Sequence, residues 1–442
     1  MQPFALSAVE ASELIHKREL SCEDLARSTL AQIARYEPEI RAFAYLDPEA
    51  VVRRARELDK LTPGHALHGL TFAIKDVIET FDMPTTYNTP AYASHRSGKD
   101  AACVATVRAL GALVVGKTDT VEFGANGRPA ATRNPHNLMH TPGGSSSGSA
   151  AAIAAGMAQL AFGTQTGGSI IRPAAYNGVF GFKPTHGVTS SEGAKVYAPS
   201  LDTIGWYGRS VADLSLVADA LRICDEPSNV PVALRGLKVG LYRGPHWDKV
   251  DASGKAALES TAAALAREGA EIVELALPAD FESLSAAQQI IIRQEGRRSF
   301  LPELLSRPDV MHPLIRQTAE NVVGYRHSDL VTAYDTAAMC RSKFDALFRD
   351  SGHLDVVLTP PALGEAPYGL DDTGSPACNS IWTLLHAPCI SMPTGLGSGG
   401  LPVGIQMVTA RFGDRRLLDV AWAIQRDLGL GVAPCAHMRS EI

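Results

Sequence analysis

Three stretches of this sequence hold residues whose types and spacing could do covalent chemistry. The first is Gly143-Gly-Ser-Ser-Ser-Gly-Ser149, where glycines permit backbone conformations closed to other residues and several hydroxyls sit at one turn. A phosphate cradle is excluded, because no Gly-Lys-Ser/Thr follows and no strand leads directly into the loop. The run also contains a formal G-x-S-x-G centred on Ser146, the pattern of a nucleophile elbow in an α/β-hydrolase. So short a pattern arises readily by accident among so many serines, and the polar segment with Pro142 before it does not read as a strand. The second stretch is Gly163-Thr-Gln-Thr-Gly-Gly-Ser169-Ile-Ile-Arg172-Pro173. Its consecutive amides at Thr166, Gly167, Gly168 and Ser169 could converge on one oxygen, and the missing Cβ atoms of the glycines let a substrate come close. A strand-to-helix turn with a capping serine accounts for the same residues equally well. The third is Lys75-Asp76, at the exit of the apolar run Leu70-Thr-Phe-Ala-Ile74. Alone, that step reads first as a lysine paired with a carboxylate.

The elements around these stretches alternate. Serines with acids in the following turn, Ser7-Ala-Val-Glu10 and Ser21-Cys-Glu-Asp24, mark two N-terminal helices, the second running to about Tyr36. A charged helix spans about Pro48 to Lys60, the run 70–74 reads as a buried strand, and a helix from about Asp100 to Leu110 precedes the strand Leu113-Val-Val115. The Ala-rich stretch Ala150 to Phe162 is too short for a membrane span and reads as a tightly packed interior helix. The expected class is α/β, a mixed, largely parallel sheet flanked by helices. From 213 to 350 two strands (Lys238 to Tyr242 and Glu271 to Val273) are outnumbered by charged amphipathic helices such as Ser283 to Arg297 and Ser328 to Arg349. We read one domain over 1–442, with an N-terminal helical segment at 1–65 and a helical cap region at 213–350 inserted in the core. Apolar strands return at Val356 to Thr359 and Cys389 to Ser391, before a last helix from Arg415 to Asp427.

Taken together, Lys75-Asp76, the Gly143 to Ser149 loop and the Gly167-Gly168-Ser169 turn resemble the amidase signature family. The resemblance continues through Gly116-Lys-Thr-Asp-Thr-Val-Glu-Phe123, Asn134-Pro135, Gly178-Val-Phe-Gly-Phe-Lys-Pro-Thr185, Pro393-Thr394-Gly395 and Gly404-Ile405-Gln406, so it covers nearly the whole chain outside the cap. It implies a Ser-cisSer-Lys triad: Ser169 as nucleophile, Ser145 as the bridging serine held by a cis peptide after Gly144, and Lys75 as base. The physics agrees, since a serine hydroxyl is a weak nucleophile that needs a base, and a lysine can be that base only where its surroundings keep it neutral. Thr166, Gly167, Gly168 and Ser169 are then the oxyanion donors, and Gly144, Gln165 and Arg172 the substrate-contacting positions. Arg172 stands third after Ser169, where most members carry arginine second. Malonamidase-like members share this spacing and use that arginine on a substrate carboxylate, as a planar guanidinium can; a structural arginine under the loop is the equal alternative.

The implied function is hydrolysis of the C–N bond of a small amide, carboxylate-bearing amides included, through an acyl-serine intermediate and without a cofactor. Two alternatives stand beside it. The A subunit of glutamine-dependent tRNA amidotransferase resembles the same motifs but delivers its ammonia to a partner, and an esterase built on Ser146 would need a histidine. His186 and His386 have no context that singles them out for that role, and His136 and His140, though spaced i, i+4, are bracketed by Pro135 and Pro142, so no metal site is expected. A net charge of -6 over 442 residues gives no basic stripe for direct nucleic-acid binding, and no membrane partner is expected. Seven scattered cysteines, none in a CxxC pair, fit a reducing cytoplasm. A homodimer is a family-level expectation. The pocket walls are expected from the cap, from Tyr87 to Tyr92 and from Asn379 to His386.

Overall fold

Eleven strands join in one sheet. The computed structural model describes residues 2–225, 231–349, 353–431 and 435, and the counts below refer to these. The strands are β1 (Phe43–Leu46), β2 (Thr71–Lys75), β3 (Leu113–Thr118), β4 (Leu160–Gln165), β5 (Phe180–Lys183), β6 (Thr203–Gly208), β7 (Lys238–Leu241), β8 (Glu271–Glu274), β9 (Val356–Thr359), β10 (Cys389–Leu396) and β11 (Pro402–Val408). The helices are α1 (Ala8–His16), α2 (Cys22–Ile40), α3 (Pro48–Asp59), α4 (Ala102–Ala109), α5 (Ser147–Ala154), α6 (Ile171–Asn177), α7 (Val211–Ala220), α8 (Ala252–Arg267), α9 (Leu284–Ser299), α10 (Leu301–Ser306), α11 (Pro313–Ala319), α12 (His327–Ala346), α13 (Ser380–Leu384) and α14 (Asp414–Leu428).

The sheet order is β1-β3-β2-β4-β6-β5-β10-β11-β9-β7-β8. The class is the mixed α/β one expected, but parallel pairing is confined to two flanks. β2 pairs in parallel with β3 and β4, and β7 with β8 and β9. The centre, β4-β6-β5-β10-β11-β9, is antiparallel throughout, as is β1 with β3. The reason lies in the connections: a parallel pair needs a crossover element. α4, α5 and α8 supply crossovers at the flanks, whereas no α-helix lies between β5 and β6 or between β10 and β11. β2 and β4, which lead to Lys75 and to the turn before Ser169, are buried along nearly their whole length, which is why they open as apolar runs.

Local signals set the helix starts. Ser7 Oγ accepts the Glu10 amide at 3.2 Å and the Glu10 carboxylate returns to Ser7 N at 2.8 Å, a reciprocal cap. Ser21 Oγ accepts from Asp24 N, while Asp59 takes the first two amides of α2. Two sequence expectations change. α2 continues to Ile40 and ends on Arg41 in the left-handed conformation. The stretch Ala150 to Phe162 is not one interior helix: α5 stops at Ala154, Gly156 turns at φ +70°, and Leu160 to Phe162 enter β4. Apolar burial on all sides hides the change of period there.

The segment 1–65 holds α1 to α3 and also β1, which no alternation in the sequence announces. Within 213–350, β7, α8 and β8 extend the sheet, and the sheet-free part is α9 to α12, in which α9 packs against α11 and α12. Residues 226–230 and the expected end at Asp350 lie outside the described residues. No helix among these is long and apolar enough to cross a membrane.

Candidate active site

Lys75 ends β2 and is fully buried, with Nζ 2.7 Å from Ser145 Oγ and 2.7 Å from Thr164 Oγ1 on the neighbouring β4. It forms no ion pair among the described residues. Asp76 turns the other way, 3.0 Å from the buried Lys117 and accepting from Thr86 N and Oγ1. The simple Lys75–carboxylate pairing is therefore not what the fold makes of Lys75-Asp76. Burial pushes the Lys75 ammonium down to about 7, opposed only by the more distant Asp202.

Ser145 follows a cis Gly144–Ser145 peptide just before α5. Ser169 lies between β4 and α6. Both open on one cavity of about 430 Å³, which Thr166, Gly167, Gly168 and Arg172 also line. The backbone N–H groups of Gly167, Gly168 and Ser169 donate to no protein atom among the described residues, while the next two amides, Ile170 and Ile171, are held by Gln165 Oε1 at 2.8 and 3.1 Å. Three unpaired donors in a row beside a cavity are an oxygen site in waiting. The two glycines differ. A Cβ on Gly168 would lie 2.3 Å from Asn379 Oδ1 and 2.9 Å from Arg172 Nη1, whereas one on Gly167 meets nothing closer than 3.5 Å. Packing forces glycine at 168, whereas a Cβ at 167 would fit in ordinary contact with Pro376.

Of the three candidate substrate contacts, two turn away from the cavity and Arg172 lines it. Gln165 is buried within the turn it braces, its Nε2 donating to Thr383 Oγ1 at 3.0 Å. Gly144 packs under Thr373, where a Cβ would come within 2.6 Å, and its carbonyl accepts from Arg172 Nη2 at 2.7 Å. Neither faces the cavity. Arg172 is split: Nε and Nη2 hold the Thr373 carbonyl, the Thr373 hydroxyl and Gly144, while Nη1 is buried with no hydrogen-bond partner among the described residues, in a side chain that lines the cavity.

Ser146 hydrogen-bonds through Oγ with the Thr164 carbonyl and amide, both at 3.2 Å, and is fully buried. The rings of His186 and His386 stack 4.3 Å apart, and their Nε2 atoms donate to the Pro199 and Ser200 carbonyls. Neither lines the cavity. His136 and His140 meet the carbonyls of Asn177 and Ala366, and among the described residues no three metal-binding side chains gather.

The walls follow expectation in part: α9, within the expected cap, lines the cavity, and the segment 87–92 does not. Tyr87 and Tyr92 form an aromatic cluster with Phe123 and His95 behind the loop, and of Asn379 to His386 only Ser380 reaches the cavity. The wall is built from Gly124 to Asn126, Tyr197, α9 (Gln288, Gln289, Ile292, Arg293) and Asp372 to Pro376. Sequence reasoning also missed Asp202, whose Oδ1 accepts from Thr166 Oγ1 at 2.5 Å and whose carboxyl burial raises to about 6. Nothing local singles out Gln288 or Asp202.

Known proteins resemble the chain over nearly its full length. The A subunit of Glutamyl-tRNA(Gln) amidotransferase from Symbiobacterium thermophilum is 33% identical, covering 95% of this chain and 96% of its own. A solved structure from a vestigial protein complex bearing on the origins of an s-triazine catabolic enzyme is 28% identical, with TM-score 0.85 over 97% of this chain and 100% of its own. A crystal structure of an amidase reaches TM-score 0.85 at 26% identity, over 96% and 100%. The Amidase family model matches residues 24–418, and the chain belongs to the amidase signature family, as an enzyme acting on amide C–N bonds.

Proposed function

We propose that this chain hydrolyses a small amide through an acyl-enzyme on Ser169. Lys75, in the neutral form that burial makes accessible near pH 7, takes the Ser145 proton while Ser145 Oγ takes that of Ser169, and Ser169 Oγ attacks the amide carbon. The carbonyl oxygen gathers charge against the amides of the Thr166 to Ser169 turn. Collapse expels the amine, protonated by the relay in reverse, and water then releases the acid by the same steps. The observation that carries this reading is a buried lysine that, among the described residues, has no carboxylate partner and is bonded to a serine opening on the same cavity as Ser169 and three amides unpaired within that set. The unpartnered Arg172 Nη1 supports a substrate with an anionic group. On this reading the enzyme works in the cytoplasm, free-standing or as a homodimer, with α9 to α12 as its cap.

A second reading is favoured by the name of the 33% identical relative: the ammonia-generating subunit of an amidotransferase. The acylation half is shared, and glutamine is itself an amide with a carboxylate. Ammonia release by the purified chain from glutamine and from small amides with and without a carboxylate separates the two. Turnover by the chain alone is expected, and in Arg172→Met a loss on the order of 10–100-fold on the carboxylate-bearing amides beyond that on neutral ones. Release from glutamine alone, and only once the other amidotransferase subunits are added, would support the second reading. No release under either condition would sink both.

A further inference from the structure

In a planar trans peptide the C=O of one residue and the N–H of the next point in opposite directions. A donor that fixes a carbonyl therefore fixes the N–H that follows it. Two such donors meet the turn before Ser169. Thr383 Oγ1, on α13, lies 2.7 Å from the Gly167 carbonyl, and Gln288 Nε2, on α9, lies 3.2 Å from that of Thr166. Both side chains are buried. The Thr383 hydroxyl has one hydrogen to give. It receives the Gln165 carboxamide at 3.0 Å, and its other acceptor, the Asn379 carbonyl, is farther off at 3.4 Å, so the hydrogen goes to Gly167.

The peptides concerned are those of Thr166–Gly167 and Gly167–Gly168. Glycine offers the least resistance to rotating such a peptide, and the N–H groups find no acceptor among the described residues. Without the carbonyl anchors nothing in the local sequence keeps them aimed at the cavity. We infer that Thr383 and Gln288 are positioning residues, holding the Gly167 and Thr166 carbonyls so that the N–H groups of Gly168 and Gly167 stay preorganised for the substrate oxygen. The inference rests on the acyl-Ser169 reading. It gives α9 a part in the reaction: one helix of the cap holds a peptide of the turn.

The test uses Thr383→Val and Gln288→Met, which keep shape and remove the donor, with Thr383→Ser as the conservative variant and Ser169→Ala as reference. The readouts are kcat and KM on the best amide of the panel above, and the rate of labelling by a small alkyl fluorophosphonate, in which a serine Oγ–P bond forms and fluoride leaves. Both Thr383→Val and Gln288→Met are expected to lose on the order of 10–100-fold in kcat and in labelling rate, with KM within about twofold, and Thr383→Ser to stay near wild type. A merely structural role would lower the melting temperature and leave kcat per folded molecule alone. Wild-type rates in both donor-less variants, or a change confined to KM, overturn the anchoring; if one variant does not fold, the other, on a separate helix, decides. Persistent labelling and turnover in Ser169→Ala would instead overturn the acyl-serine reading and the anchoring with it.

Discussion

Ser169→Ala is expected to lower kcat by at least about 10⁴-fold, with Ser146→Ala within roughly tenfold of wild type. The contrast follows from what each hydroxyl touches. Ser169 opens on the cavity beside Ser145 and the unpaired amides, so its loss removes the atom that attacks. Ser146 Oγ is buried between the amide and carbonyl of Thr164, so its loss leaves a strand amide without its partner and costs about 1–3 kcal/mol of stability. Some activity should go with it, because Thr164 also bonds Lys75. The measurement is turnover of the same amide panel by both variants at equal folded concentration. A dead Ser146→Ala beside an active Ser169→Ala would reverse the assignment and restore the elbow reading, which would then need a histidine that neither His186 nor His386 supplies from its place against the backbone.

How much of this was legible in the sequence depends on whether a residue's role is local. Ser145 and Ser169 lie in runs that carry their own backbone chemistry, glycines for tight turns and serines before helix starts, and line one cavity, while Lys75 ends an apolar strand and meets Ser145 from behind it. Gln165 and Gly144 sit in the same runs, yet face the other way: a strand alternates sides and a turn has an inside, and motif membership does not say which. Asp202, Gln288 and Thr383 reach the turn from 36 to more than 200 residues away. No periodicity carries that information, because each looks like an ordinary polar residue in its own helix or loop. The sheet shows the same division. The parallel flank of β2 and β3 was readable from alternating helices and strands, whereas β7 and β8 were counted with the cap helices and the antiparallel centre depends on which strand ends the chain brings together without a helix between them.

Lys75→Met should abolish the acid limb of the pH profile while leaving a protein that is more stable than wild type at pH 7. For wild type, kcat/KM is expected to fall about tenfold per pH unit below about 7, where the lysine takes up its proton, and to level off above it. The variant should be slower by about 10³-fold or more at pH 8 and lack that limb. Stability moves the other way. In the unfolded chain a lysine titrates near roughly 10.4, while burial holds Lys75 at about 7 in the fold. Between these values the unfolded chain holds the extra proton, so this residue's contribution to stability worsens as the pH falls from about 10 to about 7 and is constant below. The penalty at pH 7 is at most roughly 4–5 kcal/mol, partly offset by the bonds to Ser145 and Thr164 that methionine cannot make. The melting temperature of Lys75→Met should therefore exceed that of wild type most at pH 7 and approach or fall below it by pH 10. A gap that does not change over this range would mean a lysine charged in the fold at pH 7, and a charged lysine cannot take the proton of Ser145.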